Sequence, residues 1–204
     1  MKTGTVVKEQ SSIVKAADYL SATRDVLARL DADLVDRISE QIWQAYVQDR
    51  TVYLFGHGGS ASLASHLACD LAKGAAANGR RRLRAVSLND NVAMLTALAN
   101  DLAYEEIFAE QLHHIEAGDV ALAISSSGNS GNVVRGLEVA QKAGATTIAI
   151  TGFKGGRVKP LCDLCLVVPS DNVQYIEDSH LSVMHAIFSA IRQRILNSAD
   201  RERE

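Results

Sequence analysis

Five short apolar runs alternate with longer stretches of helical periodicity: TVYLF (51–55), RAVSL (84–88), VALAIS (120–125), TTIAIT (146–151) and LCLVV (164–168). Runs of five or six residues rich in valine, isoleucine and threonine are too short for buried helices and read as strands covered on both faces. Strands separated by helices pair side by side in parallel. The expected fold class is therefore α/β, a three-layer α-β-α sandwich with a central parallel sheet of about five strands. Two amphipathic helices lead it, within EQSSIVKAADYLSATRDVLARL and ADLVDRISEQIWQAYVQD, and a long helix from about Val173 to Asn197 closes it.

The 204 residues, 47% apolar with two prolines, suit a single domain with a sizeable core. Its parts read as a helical segment over 1–50, an α/β core over 51–198 and a frayed tail over 199–204. The leading helices serve no sheet loop, so their apolar stripes are expected to pack between subunits. A net charge of −3 gives no basic field for nucleic acid. The local run Arg80, Arg81, Arg82 and Arg84 reads as a solvated loop or an intersubunit salt-bridge patch, an anionic partner being the alternative. No apolar stretch reaches the ~18 residues of a membrane span, and MKTGTVVKEQ lacks the apolar centre of a signal peptide, so a cytoplasmic protein is expected. Three cysteines, an odd number, agree with a reducing compartment. Cys162 and Cys165 have redox or zinc spacing, but without a second such pair they read as thiols buried at a strand edge.

Ligands of an open parallel sheet sit beyond the carboxyl ends of its strands, so the loops after each run carry the chemistry. After the first comes GHGGSA, which lacks the spacing and distal acid of a dinucleotide fingerprint and the lysine of a Walker loop. Its glycines deliver Ser60 to a helix N-terminus, either as an ordinary cap or toward an anion. After the third comes SSSGNSGN, in which Ser125, Ser126, Ser127 and Ser130 surround Gly128 and Asn129. Hydroxyls and amides held between a buried strand and a helix can wrap a phosphate without a cationic side chain.

His66 and Asp70 are four residues apart and share a helix face. In the last helix His185 lies about 80° around the axis from Glu177, and His180 about 60° to the other side. His66, Asp70, Glu177 and His185 leave three readings open: a mononuclear metal site, an acid–base pair, or two unrelated ion pairs.

Together these motifs resemble the sugar-isomerase (SIS) domain family. Within it they resemble the phosphoheptose isomerases, which interconvert sedoheptulose 7-phosphate and D-glycero-D-manno-heptose 7-phosphate. The likeness rests on GHGGSASLASHLACDL, LNDNVAMLTALANDLAYEEIF, ISSSGNSGNVVRGL, AITGFKGG and VQYIEDSHLSVMH, in the family's order. It implies a phosphate clamp at Ser60, Ser125, Ser126, Ser127 and Ser130, with Gly58, Gly59, Asp90, Asn91 and Gln174 also at the substrate. It places catalysis on Asp70 and His185, with Glu177 as the alternative base, and a zinc ion on His66, Asp70, Glu177 and His185. A homotetramer follows from the same likeness. The chain departs from the family pattern at Asp70, where glutamate is usual, and at Glu177, where glutamine is usual. It also has His57 for asparagine and Ala61 for a polar residue.

The expected reaction is an aldose–ketose isomerisation through an enediol. Its rivals are a non-catalytic SIS interaction module, like a relative that binds a replication initiator, and an isomerase for another sugar phosphate.

Overall fold

The computed structural model of the protein describes residues 15–76 and 80–200, and the side chains of all of these except 199 and 200. In chain order the elements are α1 (Ala16–Leu27), α2 (Ala32–Val47), β1 (Thr51–Phe55), α3 (Gly59–Cys69), β2 (Arg84–Ser87) and α4 (Val92–Asp101). They continue with β3 (Val120–Ser125), α5 (Gly131–Lys142), β4 (Thr146–Thr151), β5 (Leu164–Val167) and α6 (Val173–Asp200). All five expected strands are present. Two of the runs end a residue early, and α6 continues past Asn197 through Asp200. The rest of the expected tail, residues 201–204, and the first part of the leading segment, residues 1–14, lie outside the described residues.

The strands form one parallel sheet in the order β2-β1-β3-β4-β5. The order reverses direction between β1 and β3, which pair from Val52 opposite Val120 to Phe55 opposite Ala123. A crevice opens at such a reversal, beyond the carboxyl ends of the two strands. The loops that leave them are GHGGS and SSSGNS, so the topology brings the two motifs to one place.

β3 is buried along its whole length, and its alternate side chains feed two cores. Val120, Leu122 and Ile124 meet residues of α2, α3 and α6. Ala121 and Ala123 on the other face leave room for Phe55 and Phe108, whose ring centroids are 5.2 Å apart, and for α5. α2 starts on Asp31, whose carboxylate accepts from the Leu34 N–H at 3.0 Å. Ile38 and Ile42 of α2 are fully buried in the first core. The stripe of α2 that the sequence offered to a neighbouring subunit is thus occupied within the chain, while α1 buries only Val26 and leaves Leu20 exposed.

The arginine run is largely exposed, as a solvated loop would be, and three of its members also make contacts within the chain. Arg81 donates to the carbonyls of Tyr46 and Val47 at the end of α2, and its guanidinium lies 4.8 Å from the centre of the Tyr46 ring. Arg84 pairs with Asp49 at 3.0 Å, and Arg80 donates to the Ser198 carbonyl of α6. Cations at helix C-termini satisfy carbonyls left without intrahelical donors. Cys162 and Cys165 flank the start of edge strand β5, half-buried. Burial pushes the Cys162 thiol up to about 12 and the Cys165 thiol upward as well. Thiols held protonated are poor nucleophiles. Among the described residues, no helix is long and apolar enough to cross a membrane.

Candidate functional site

The loop after β1 is drawn tight against the sheet. A Cβ on Gly56 would stand 2.6 Å from the Ile124 carbonyl oxygen, so only glycine fits there. Asn89, just after β2, holds the same residue from both sides. Its Oδ1 accepts from the Gly56 N–H at 3.2 Å, and its Nδ2 donates to the Gly56 carbonyl at 2.7 Å. Gly58 then turns the chain with φ +61° and ψ −130°, and it caps α3 in place of the expected serine. A side chain would be strained at that dihedral. Ser60 lies one residue into α3, buried.

The loop after β3 is braced by the segment 152–158 after β4. Gly152 N–H donates to the Ser126 carbonyl at 2.9 Å, Val158 N–H to the Gly128 carbonyl at 3.0 Å, and Arg157 N–H to Asn129 Oδ1 at 3.1 Å. Gly128 has φ +64°, and a Cβ there would stand 2.2 Å from the Gly155 carbonyl oxygen. Ser125 and Ser127 accept through Oγ from the N–H groups of Gly128 and Asn129, which fixes their hydroxyls. Ser130 begins α5 without using its side chain as a cap.

Both loops open into one cavity of about 310 Å³, lined by Ser60, Ser125, Ser126, Ser127, Ser130 and Glu177, together with His57, Ile124, Phe153 and Val173. The five serines expected to bind phosphate therefore meet. Two helix N-termini, those of α3 and α5, converge beside them, an arrangement that favours an anion. Glu177 reaches the cavity from the first part of α6, and Gly59 makes room for it: a Cβ on Gly59 would stand 2.9 Å from its Oε2.

Further along, His66 of α3 and Asp70, just past its last residue, meet His185 of α6. His66 Nε2 is 3.5 Å and His185 Nε2 is 3.9 Å from Asp70 Oδ2, and the two imidazoles meet edge to face with centroids 5.2 Å apart. The backbone leaves α geometry at Asp70 for one π turn, in which the Ala75 N–H donates to the Asp70 carbonyl at 2.9 Å. Such turns recur at functional sites. Among the described residues, these three alone bring one ligand atom each to within 4.8 Å of one another. Donors at ~2.0 Å around a tetrahedral zinc stand about 3.3 Å apart, so two imidazoles and a carboxylate at these spacings fit that ion with one position open. Glu177, the expected fourth ligand, is outside the cluster, because its carboxylate is turned toward Gly59 and the serine cavity.

Three expected contacts fall elsewhere. Asp90 and Asn91 line a separate hollow with Ser65 and Cys69, where Ser65 Oγ donates to Asp90 Oδ1 at 2.5 Å and Asn91 Oδ1 caps α4 at the Met94 N–H. Gln174 is exposed in the first turn of α6, outside the cavity lining. His180 is fully buried with neither ring nitrogen in a hydrogen bond. Asn89 lies within the LNDNV motif, but its role depends on β2 and β1 being neighbours and was not expected. Phe153 and Val173 likewise reach the lining only through the packing of three loops.

The chain is similar to proteins of one known family. The SIS domain family matches residues 17–152. A phosphoheptose isomerase of Pelobacter propionicus is 36% identical over 172 residues, 84% of this chain and 90% of that one. Another, from Aquifex aeolicus, is 42% identical over 145 residues, covering 71% and 75%. The solved structure of the phosphoheptose isomerase of Neisseria gonorrhoeae superposes with a TM-score of 0.80 at 28% identity, covering 86% of this chain and 95% of that one. With its parallel sheet, its serine cavity and these relatives, the chain belongs to the SIS domain family, on its phosphoheptose isomerase branch.

Proposed function

We propose that the protein isomerises sedoheptulose 7-phosphate to D-glycero-D-manno-heptose 7-phosphate through an enediol. One observation carries the reading: α3 and α6 each contribute to both halves of the site. α3 supplies Ser60 to the cavity and His66 to the cluster, with Asp70 from the π turn that follows it, and α6 supplies Glu177 and His185. Along α6 the two are separated by about 12 Å of helix rise, a span suited to a substrate with a phosphate at one end and a reacting carbonyl at the other. The serine loops bind the phosphate and fix the sugar. Asp70 moves the proton between C1 and C2 while His185 donates to the sugar oxygen and assists ring opening. Glu177 is the alternative base. His66, Asp70 and His185 would hold a zinc ion, which when bound supplies Lewis-acid polarisation of the carbonyl and hydroxyl oxygens.

The acting form is a homotetramer in the cytoplasm. α4 buries none of its residues, exposing Val92 and Met94, and Leu102 follows it exposed. Beside it, edge strand β2 exposes Val86. An apolar helix next to an open sheet edge fits a second copy of the chain better than water.

An NMR time course with sedoheptulose 7-phosphate, with added zinc and after chelation, tests the activity. New aldose signals support it, and their loss on chelation ties the activity to the metal. No conversion under either condition overturns it in favour of another sugar phosphate or a non-catalytic role.

A further inference from the structure

A phosphate monoester carries nearly two negative charges at neutral pH. The serine cavity has to compensate them without lysine or arginine, since neither lines it. Its hydroxyls are neutral. The N-termini of α3 and α5 offer roughly half a positive charge each. The Glu177 carboxylate faces the same space and cancels about as much as the two helices provide together. One lining side chain is able to carry a full positive charge, and it is His57. It stands one residue before the Gly58 turn, exposed at the mouth, with its ring 6.5 Å from that of Tyr104.

We propose that His57 binds the substrate phosphate, its imidazole being the one lining group that can bring positive charge against the carboxylate that Glu177 holds in the cavity. The assignment rests on the reading of this cavity as the phosphate site. The surroundings leave His57 available for that role. α3 has no acidic residue in its first turn. Of the two glutamates that follow Tyr104, Glu106 is paired with Arg135 at 3.1 Å and Glu105 lays its stem against Gly131. Glu177 is then the carboxylate that shares the cavity with His57, and the two side chains act as a compensating pair around the anion.

Inorganic phosphate is the probe, titrated calorimetrically into the full chain. His57→Asn is expected to weaken phosphate binding about tenfold, the scale of one charge-assisted hydrogen bond. His57→Lys should restore it, and His57→Asn combined with Glu177→Gln should recover most of the loss. Phosphate binding unchanged in His57→Asn, or equally weak in His57→Lys, overturns the assignment, as does a wild-type protein that binds no phosphate at millimolar concentration. With the sugar phosphate, His57→Asn should raise KM more than it lowers kcat. A fall in kcat with phosphate binding intact would instead place His57 at the reacting end. The titration does not depend on turnover. A protein that binds phosphate but converts no sugar phosphate refutes the isomerase reading and still decides the role of His57.

Discussion

The Glu177 carboxylate rests over Gly59, its Oε2 2.9 Å from where a Cβ would stand. This glycine has no left-handed dihedral to preserve, and it opens α3, where alanine is the better helix former. Only the flexible end of Glu177 opposes a methyl group. Gly59→Ala is therefore expected to leave the melting temperature unchanged or slightly raised while displacing the carboxylate. Misplacement on the scale of an ångström costs up to about 100-fold in rate. A thermal melt beside a kcat/KM measurement checks this, and an active variant would mean that Glu177 takes no part in turnover.

Among the described residues, Asp70 is the one carboxylate within reach of both His66 and His185 in the cluster. Asp70→Asn keeps the shape and removes the charge and the basicity. Activity should fall by about 10² to 10⁴, the usual contribution of a positioned acid or base. Zinc content, measured by mass spectrometry after dialysis, should fall with it. Glu177→Gln should keep its zinc, because its side chain stands outside the cluster. If Glu177→Gln abolishes turnover and Asp70→Asn does not, the two carboxylates exchange roles.

How legible this site was depends on the range of the interactions that build it. His66 and Asp70 were readable because four residues along a helix is a local relation, and the serines because a loop after a buried strand has one place to go. Gly58 took the cap from Ser60 because a backbone dihedral decided it. Glu177 and His185 were both placed on α6, but angle about an axis does not tell which way a long side chain turns, and Glu177 turned to the cavity. The role of Asn89 was invisible, since its partner Gly56 is reached only through the pairing of β1 with β2. The arginine run reads as a solvated loop or an intersubunit salt-bridge patch, and Arg81, Arg82 and Arg84 are indeed exposed, but the carbonyls that Arg80 and Arg81 satisfy, at the ends of α6 and α2, lie too far away in sequence to be read from it.

His180 makes stability depend on pH. Burial pushes its imidazole down to about 4 from the ordinary 6.5, against a smaller upward pull from the Thr151 backbone, which lies near the ring but outside hydrogen-bond geometry. Between those values the unfolded chain takes up a proton that the folded chain refuses. Stability is therefore highest above pH 6.5, falls as the pH drops toward 4, and loses nothing further from this group below that. The shift corresponds to about 3 kcal/mol across the window. Urea midpoints at pH 7 and pH 4.5 should differ less in His180→Leu than in the wild type. Equal pH dependence in the two proteins would remove His180 as the source.

The exposed face of α4 gives the last test. Val92 is 66% exposed and Leu102, just past the helix, 58%, on the face of α4 away from Leu95, Leu98 and Ala99, which pack half-buried against the second core. A helix of this apolarity is stable in water only if something covers it, and in a homotetramer the cover is another subunit. Val92→Glu and Leu102→Glu change no buried contact in this chain, so each variant should fold with a near-native melting curve. Each also places a charge where apolar surface would be buried, which costs several kcal/mol per site when unpaired. Sedimentation velocity should then show the double variant shifted from the proposed tetramer to smaller species at micromolar concentration. A double variant that sediments as the wild type does would exclude this face from the interface, leaving α1 and its exposed Leu20 as the surface to test.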